Sequence, residues 1–140
     1  MKVIVAKSEL DKFRRRALKS YPNERIELLW GKRCGRDCFV IHLFDQVKHK
    51  RGRRWCESDE DDHEISIQEA QDKGLIVLGT IHTHPNRDEA NPSEADFDSA
   101  VEQFEVISGI CCVWEDKKSG KLKSRVRWWG PLVGVTAEYR

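Results

Sequence analysis

The spacing of hydrophobic positions changes several times along the chain, and each change marks an element. Val3 to Ala6 is a short apolar run, and Ser8 with Asp11 three residues on reads as a helix start. Leu10, Phe13, Ala17 and Leu18 then fall along one helical face, and the helix should end before Pro22. Arg25 to Lys32 is rich in large apolar residues, Cys34 to Asp37 reads as a turn around Gly35, and Cys38 to Phe44 is β-branched and aromatic. Together they predict a hairpin. Ser66 to Lys73 predicts a two-turn helix stopped by Gly74, and Leu75 to Ile81 is the nearly continuous apolar run of a strand buried on both faces.

The polar stretch from His84 to Pro92 carries Pro85 and Pro92 and predicts a loop, after which Ser93 opens a helix to about Phe104. Val106 to Trp114 and Leu122 to Trp129 flank a turn over Glu115 to Lys121, containing Ser119 and Gly120, and predict a second hairpin. Trp128 and Trp129 are neighbours on one strand and cannot both face one core. One of them is expected as an exposed contact or under the segment Gly130 to Arg140. The order β, α, β, β, α, β, α, β, β predicts an α/β fold with a mixed sheet flanked by helices.

A length of 140 residues leaves no room for a second core of similar size, so one domain over residues 1–140 is expected. Charged residues make up 35% of the chain, well above the roughly 25% of an average domain, which predicts a heavily charged surface. The 25 Lys and Arg nearly balance the 24 Asp and Glu, so overall charge favours neither a dedicated nucleic-acid binder nor an acidic tail. The charge is instead local. Asp45 to Glu64 is basic through Lys48, Lys50, Arg51, Arg53 and Arg54, then acidic through Glu57, Asp59, Glu60, Asp61 and Asp62, and predicts a long solvated loop. Trp55 beside the basic run could stack a base, but the acidic run neutralises its neighbour and argues against nucleic acid. Substrate docking is a further use for such a loop.

Met1 to Leu10 has no apolar core of a secretory signal, and no stretch approaches ~18 apolar residues, so a cytoplasmic protein without a membrane anchor is expected. The five cysteines are then expected as reduced thiols, with Cys111 and Cys112 serving as small buried hydrophobes. Cys34 and Cys38, with Cys56 and His63 or His49, would make a poor second zinc site, because the pair straddles a turn without C-x-x-C spacing.

His82 and His84 alternate at the end of a predicted strand, where period-two geometry points both imidazoles to one face. Two nitrogen donors on one side can share an ion, and catalytic zinc usually takes a third protein ligand plus water. Asp96, in the first turn of the following helix, is the best candidate, with Pro85 and Pro92 stiffening the connecting loop. By spacing alone, two surface histidines and a plain capping box at Ser93 to Asp96 account for the same residues equally well.

The full string His82-Thr83-His84-Pro85, then Pro92-Ser93-Glu94-Ala95-Asp96, resembles the H-x-H-P…S-x-x-D signature of the JAMM (MPN-domain) metalloproteases, including prokaryotic relatives ending P-S-x-A-D. Glu24 to Gly31 is similar to a second family pattern, E-x-x-G-x-L-x-G, matching at Glu24, Leu29 and Gly31, with Glu27 standing where the family has Gly. The span from His84 to Asp96 is one residue longer than in the commonest members. The resemblance covers roughly residues 20 to 115. It implies an MPN (cytidine-deaminase-like) fold and one Zn2+ per chain on His82, His84 and Asp96. It also implies Glu24 as general base, with Glu27 competing for that role, and Ser93 as donor to the oxyanion. Thr83, pointing away from the histidines, reads as structural.

The function implied is a metallo-isopeptidase or peptidase whose partner is a ubiquitin-like protein or a peptide. Its rivals are a JAMM-like peptidase cutting cell-wall or phage-structural peptides, and an MPN scaffold that binds without cutting. A nucleic-acid module like the DNA-repair-associated relatives is a further reading.

Overall fold

The computed structural model describes residues 1–46 and 68–140. The charge block beyond Gln46, Trp55, Cys56, His49, His63 and the start of the predicted helix at Ser66 lie outside the described residues, while Asp45 and Gln46, expected in the loop, end a strand. In chain order the elements are β1 (Lys2–Val5), α1 (Lys7–Ser20), β2 (Ile26–Gly35), β3 (Cys38–Gln46), β4 (Ile76–Pro85), α2 (Glu94–Glu102), β5 (Ser108–Glu115), β6 (Leu122–Trp129) and β7 (Thr136–Tyr139). A further helical stretch at 68–72 leads to Gly74, whose φ of 72° takes the left-handed conformation that ends a helix. The strands form one mixed seven-stranded sheet in the order β6-β5-β4-β2-β3-β1-β7. This is the mixed sheet flanked by helices that the element order predicts.

Both predicted hairpins form: β2 pairs antiparallel with β3, and β5 with β6. The first turn is tighter than the sequence suggests, with Asp37 at φ 59° rather than Gly35 taking the left-handed region. It also brings the Cα atoms of Cys34 and Cys38 to 5.3 Å, and their sulfurs are bonded. The expectation of reduced thiols is therefore corrected for this pair, and with the sulfurs joined the pair offers no thiolate to a second zinc site. Cys111 and Cys112 are free and buried, as expected.

The start of α1 differs from expectation. Ala6 is the cap residue, no side chain caps the helix, and Ser8 lies inside it. The chain end supplies what a capping side chain would: Lys7 N–H donates to the Arg140 carbonyl at 2.8 Å, just beyond β7. That seventh strand is absent from the predicted order. It pairs parallel with β1, which in turn pairs parallel with β3.

Helix α1 lays Leu10, Phe13 and Ala17 on one face of the sheet, against Val3, Val5, Leu29, Ile41, Phe44, Ile81, Cys111 and Trp128. Helix α2 covers part of the other face, where Ala90, Ala100, Ile110, Cys112 and Trp129 form a second cluster. Residues 68–72 cover another part of that face through Ala70, which packs with Trp30 and Leu75. Two covered faces resolve the tryptophan pair. Alternation sends Trp128 to the α1 face and Trp129 to the α2 face, so both are buried and neither is an exposed contact. Trp128 Nε1–H donates to Tyr139 Oη of β7 at 3.1 Å. The entry of β4 is less enclosed than its apolar run predicts, since Ile76 and Val77 are exposed while Leu78, Gly79 and Ile81 are buried.

Candidate metal centre

Strand β4 lies between β5 and β2, and its last residues alternate as their positions dictate. Ile81 and Thr83 point to the α1 face and are buried, while Thr80, His82 and His84 point to the α2 face and are partly exposed. The chain leaves β4 at Pro85, crosses to Ser93 and enters α2, whose first turn carries Asp96 back over the strand end. Side chains from β6 hold the crossing loop, with Arg125 donating to the Asp88 carbonyl and Arg127 to the Asn91 side chain. Tyr21 pairs with Asn86 on its other flank.

Three donor groups converge as a result. His82 Nε2 lies 2.9 Å from His84 Nε2 and 3.1 Å from Asp96 Oδ1, and His84 Nε2 lies 3.5 Å from Asp96 Oδ2. A tetrahedral zinc with bonds of ~2.0–2.1 Å holds its ligand atoms roughly 3.3 Å apart. The three spacings bracket that value, and the donor set of two imidazoles and a carboxylate suits zinc. The fit has one cost: ligation through His84 Nε2 leaves the ring proton on Nδ1, which is buried without a protein partner among the described residues. Burial and the neighbouring His82 push the His84 pKa down, which favours the neutral imidazole that a metal needs. Burial opposes the charge on Asp96, but hydrogen bonds from His82 and Ser93 outweigh it and hold the carboxyl far below the usual range.

The capping box and the ligand set share Asp96. Ser93 Oγ accepts from Asp96 N–H at 3.1 Å, and Ser93 N–H donates to Asp96 Oδ2 at 2.8 Å. The two readings that spacing leaves open are therefore compatible: the cap orients the carboxylate toward the histidines. Ser93 is exposed at the helix entrance and does not line the pocket beside His82.

The two candidate glutamates part company on strand parity. In the β2–β4 register Ile26 stands opposite His82 and Glu27 opposite Ile81, so Glu27 points to the face away from the histidines. There it is fully buried, with Arg16 bonding both carboxylate oxygens at 2.7 and 3.0 Å and Arg25 bonding one at 2.6 Å. Glu24 lines a pocket of about 240 Å³ on the histidine side, together with His82 and Asp96. Thr83 ties this edge down, accepting from Arg25 N–H at 2.8 Å while its own N–H donates to the Arg25 carbonyl at 2.9 Å. Thr80, Glu105 and Ser108 are among the pocket residues that go unnoticed in the sequence. Parity with His82 could have placed Thr80, whereas Glu105 and Ser108 arrive through the return of the chain after α2.

Residues 6–129 match the family of prokaryotic homologs of the JAB domain, and the chain belongs to that family. Among solved structures, a JAB1/MPN domain protein from Archaeoglobus fulgidus is similar at 21% identity and a TM-score of 0.63, over 99% of this chain and 98% of that one. A protein from Desulfitobacterium hafniense is similar at 18% identity and a TM-score of 0.62, over 99% of this chain and 94% of that one. A protein from Salinibacter ruber is similar at 23% identity and a TM-score of 0.55, over 89% and 80%. None of the curated proteins matches significantly. Among the described residues no helix is long and apolar enough to cross a membrane.

Proposed function

We propose that the chain is a zinc-dependent hydrolase of peptide or isopeptide bonds, acting on the extended C-terminal tail of a ubiquitin-like modifier. The observation that carries this reading is the convergence of His82, His84 and Asp96 on the face of β4 whose pocket Glu24 also lines. Zinc, when bound there, supplies an activated water and polarises the scissile carbonyl. Glu24 takes the proton of the attacking water and returns it to the leaving amine. Ser93 Oγ accepts from Asp96 N–H and gives its own proton to no group among the described residues, so the same group that caps α2 can donate to the developing oxyanion.

The buried position of Glu27 supports Glu24 over the rival base. With both carboxylate oxygens held by arginines on the far side of the sheet, Glu27 has no path to a water beside the histidines. The tail preference follows from access. A carbonyl reaches a site at a strand end only if the adjoining chain lies extended, and small residues such as Gly-Gly allow the closest approach.

The test presents the zinc-loaded protein with a ubiquitin-like protein joined through a Gly-Gly tail to a lysine side chain or a peptide, beside an unrelated peptide and a peptidoglycan stem peptide. Release from the modifier fusions supports the reading. Cleavage of the stem peptide alone replaces the modifier with a cell-wall substrate, and no cleavage of any probe leaves a binding domain.

A further inference from the structure

We propose that Glu105 selects substrates carrying a cationic side chain next to the bond that is cut, an inference that rests on the hydrolase reading above. Glu105 follows α2 and lines the pocket shared by His82 and Asp96. Its carboxylate is pinned by two hydroxyls: Thr80 Oγ1 donates to Oε1 at 2.6 Å and Ser108 Oγ donates to Oε2 at 2.7 Å. Thr80 precedes His82 by two residues on the same face of β4, so the residue that pins the carboxylate lies about 7 Å along the strand from the histidine.

The described residues around it leave the charge uncompensated. Among the described residues no cation pairs with Glu105, in contrast to Glu27, which has Arg16 and Arg25. Each hydroxyl has one proton, and both are spent on the carboxylate without adding charge. The other ionisable groups lining the pocket are Glu24, His82, Asp96 and Arg25, and the guanidinium of Arg25 is already bound to Glu27. A partly enclosed carboxylate in such a pocket attracts a cation and is screened less than a surface charge. Ile26 and Trp129 line the same pocket and offer apolar walls for the aliphatic stem of a lysine. The preorganised oxygens keep unused lone pairs for its ammonium head.

The test uses the zinc-loaded full chain and a series of Gly-Gly-containing peptides in which the residue on either side of the cleaved bond is Lys, norleucine or Glu. Rates of cleavage are read as kcat/KM, and binding of uncleavable versions is read as Kd by calorimetry. Lysine should exceed norleucine by about ten-fold at one of the two positions, as expected for a hydrogen bond to a charged group. The advantage should shrink with added salt, vanish in Glu105→Gln, and give way to a preference for Glu in Glu105→Lys. Equal handling of Lys and norleucine by the unmodified protein at both positions overturns the inference, as does a lysine preference that survives Glu105→Gln. If no peptide is cut, the hydrolase reading fails, and the Kd values still decide the charge preference.

Discussion

Ser93 and Asp96 bind each other twice, and the oxygen of Asp96 that Ser93 leaves free points to His82 Nε2 at 3.1 Å. Helix cap and metal ligand are thus one mechanical unit. Ser93→Ala removes the side-chain half of the cap, and should cost about 1 kcal/mol of stability. The lost bond holds the Asp96 backbone N–H, while the bond from Ser93 N–H to the Asp96 carboxylate remains, so the variant should weaken zinc only modestly. Thermal melts with a chelator competition would check it: a Tm and a zinc Kd both equal to those of the unmodified protein would uncouple cap from ligand.

His82→Ala, His84→Ala and Asp96→Ala should each lose the zinc that the unmodified protein carries at one per chain. Removing one of three protein ligands leaves two donors, too few for a stable tetrahedral site. Elemental analysis of the purified variants reads the result directly, and stoichiometric zinc in all three would place the metal elsewhere.

Glu24→Gln and Glu27→Gln should fail in different ways. The first should keep fold and zinc and lower turnover by at least ~10²-fold, because the amide cannot accept a proton from water. The second leaves Arg16 and Arg25 without their buried counter-charge, and losing one partner of a buried ion pair typically costs about 3–5 kcal/mol. Its signature is a lower Tm with the zinc site retained in the folded fraction. A stable but inactive Glu27→Gln beside an active Glu24→Gln would exchange the two roles.

Burial pushes the Cys111 thiol up to about 12, and the neighbouring Cys112 pushes it the same way. The folded protein therefore keeps this proton over a pH range in which the unfolded chain releases it. Bound protons favour the folded state below the ordinary thiol range, and that contribution is lost as pH rises toward about 12. Denaturant midpoints in the Cys56→Ser background should fall from pH 9 upward, less so in Cys111→Ala. Maleimide should label Cys111 at pH 8 only after denaturant is added; rapid labelling of the native protein would show the site to be open.

The chain's own pattern determined most of the local structure. Strand alternation placed His82 and His84 on one face, Ser93 with Asp96 marked the start of α2, and turn residues located both hairpins, because each depends on neighbours within a few positions. Tertiary structure decided the relationships that need distant parts of the chain. Strand β7 and the cap it gives α1 come from pairing the two ends, and no local signal near Ser8 reports an acceptor at Arg140. The fate of Trp128 and Trp129 depended on whether the sheet was covered on one face or two. The split between Glu24 and Glu27 rested on the register of β2 against β4, since a slip of one residue exchanges the faces of every side chain. Glu105 meets Thr80 and Ser108 only because α2 returns the chain to the entrance of β5, so the carboxylate that lines the pocket is fixed by packing that no short window of sequence contains.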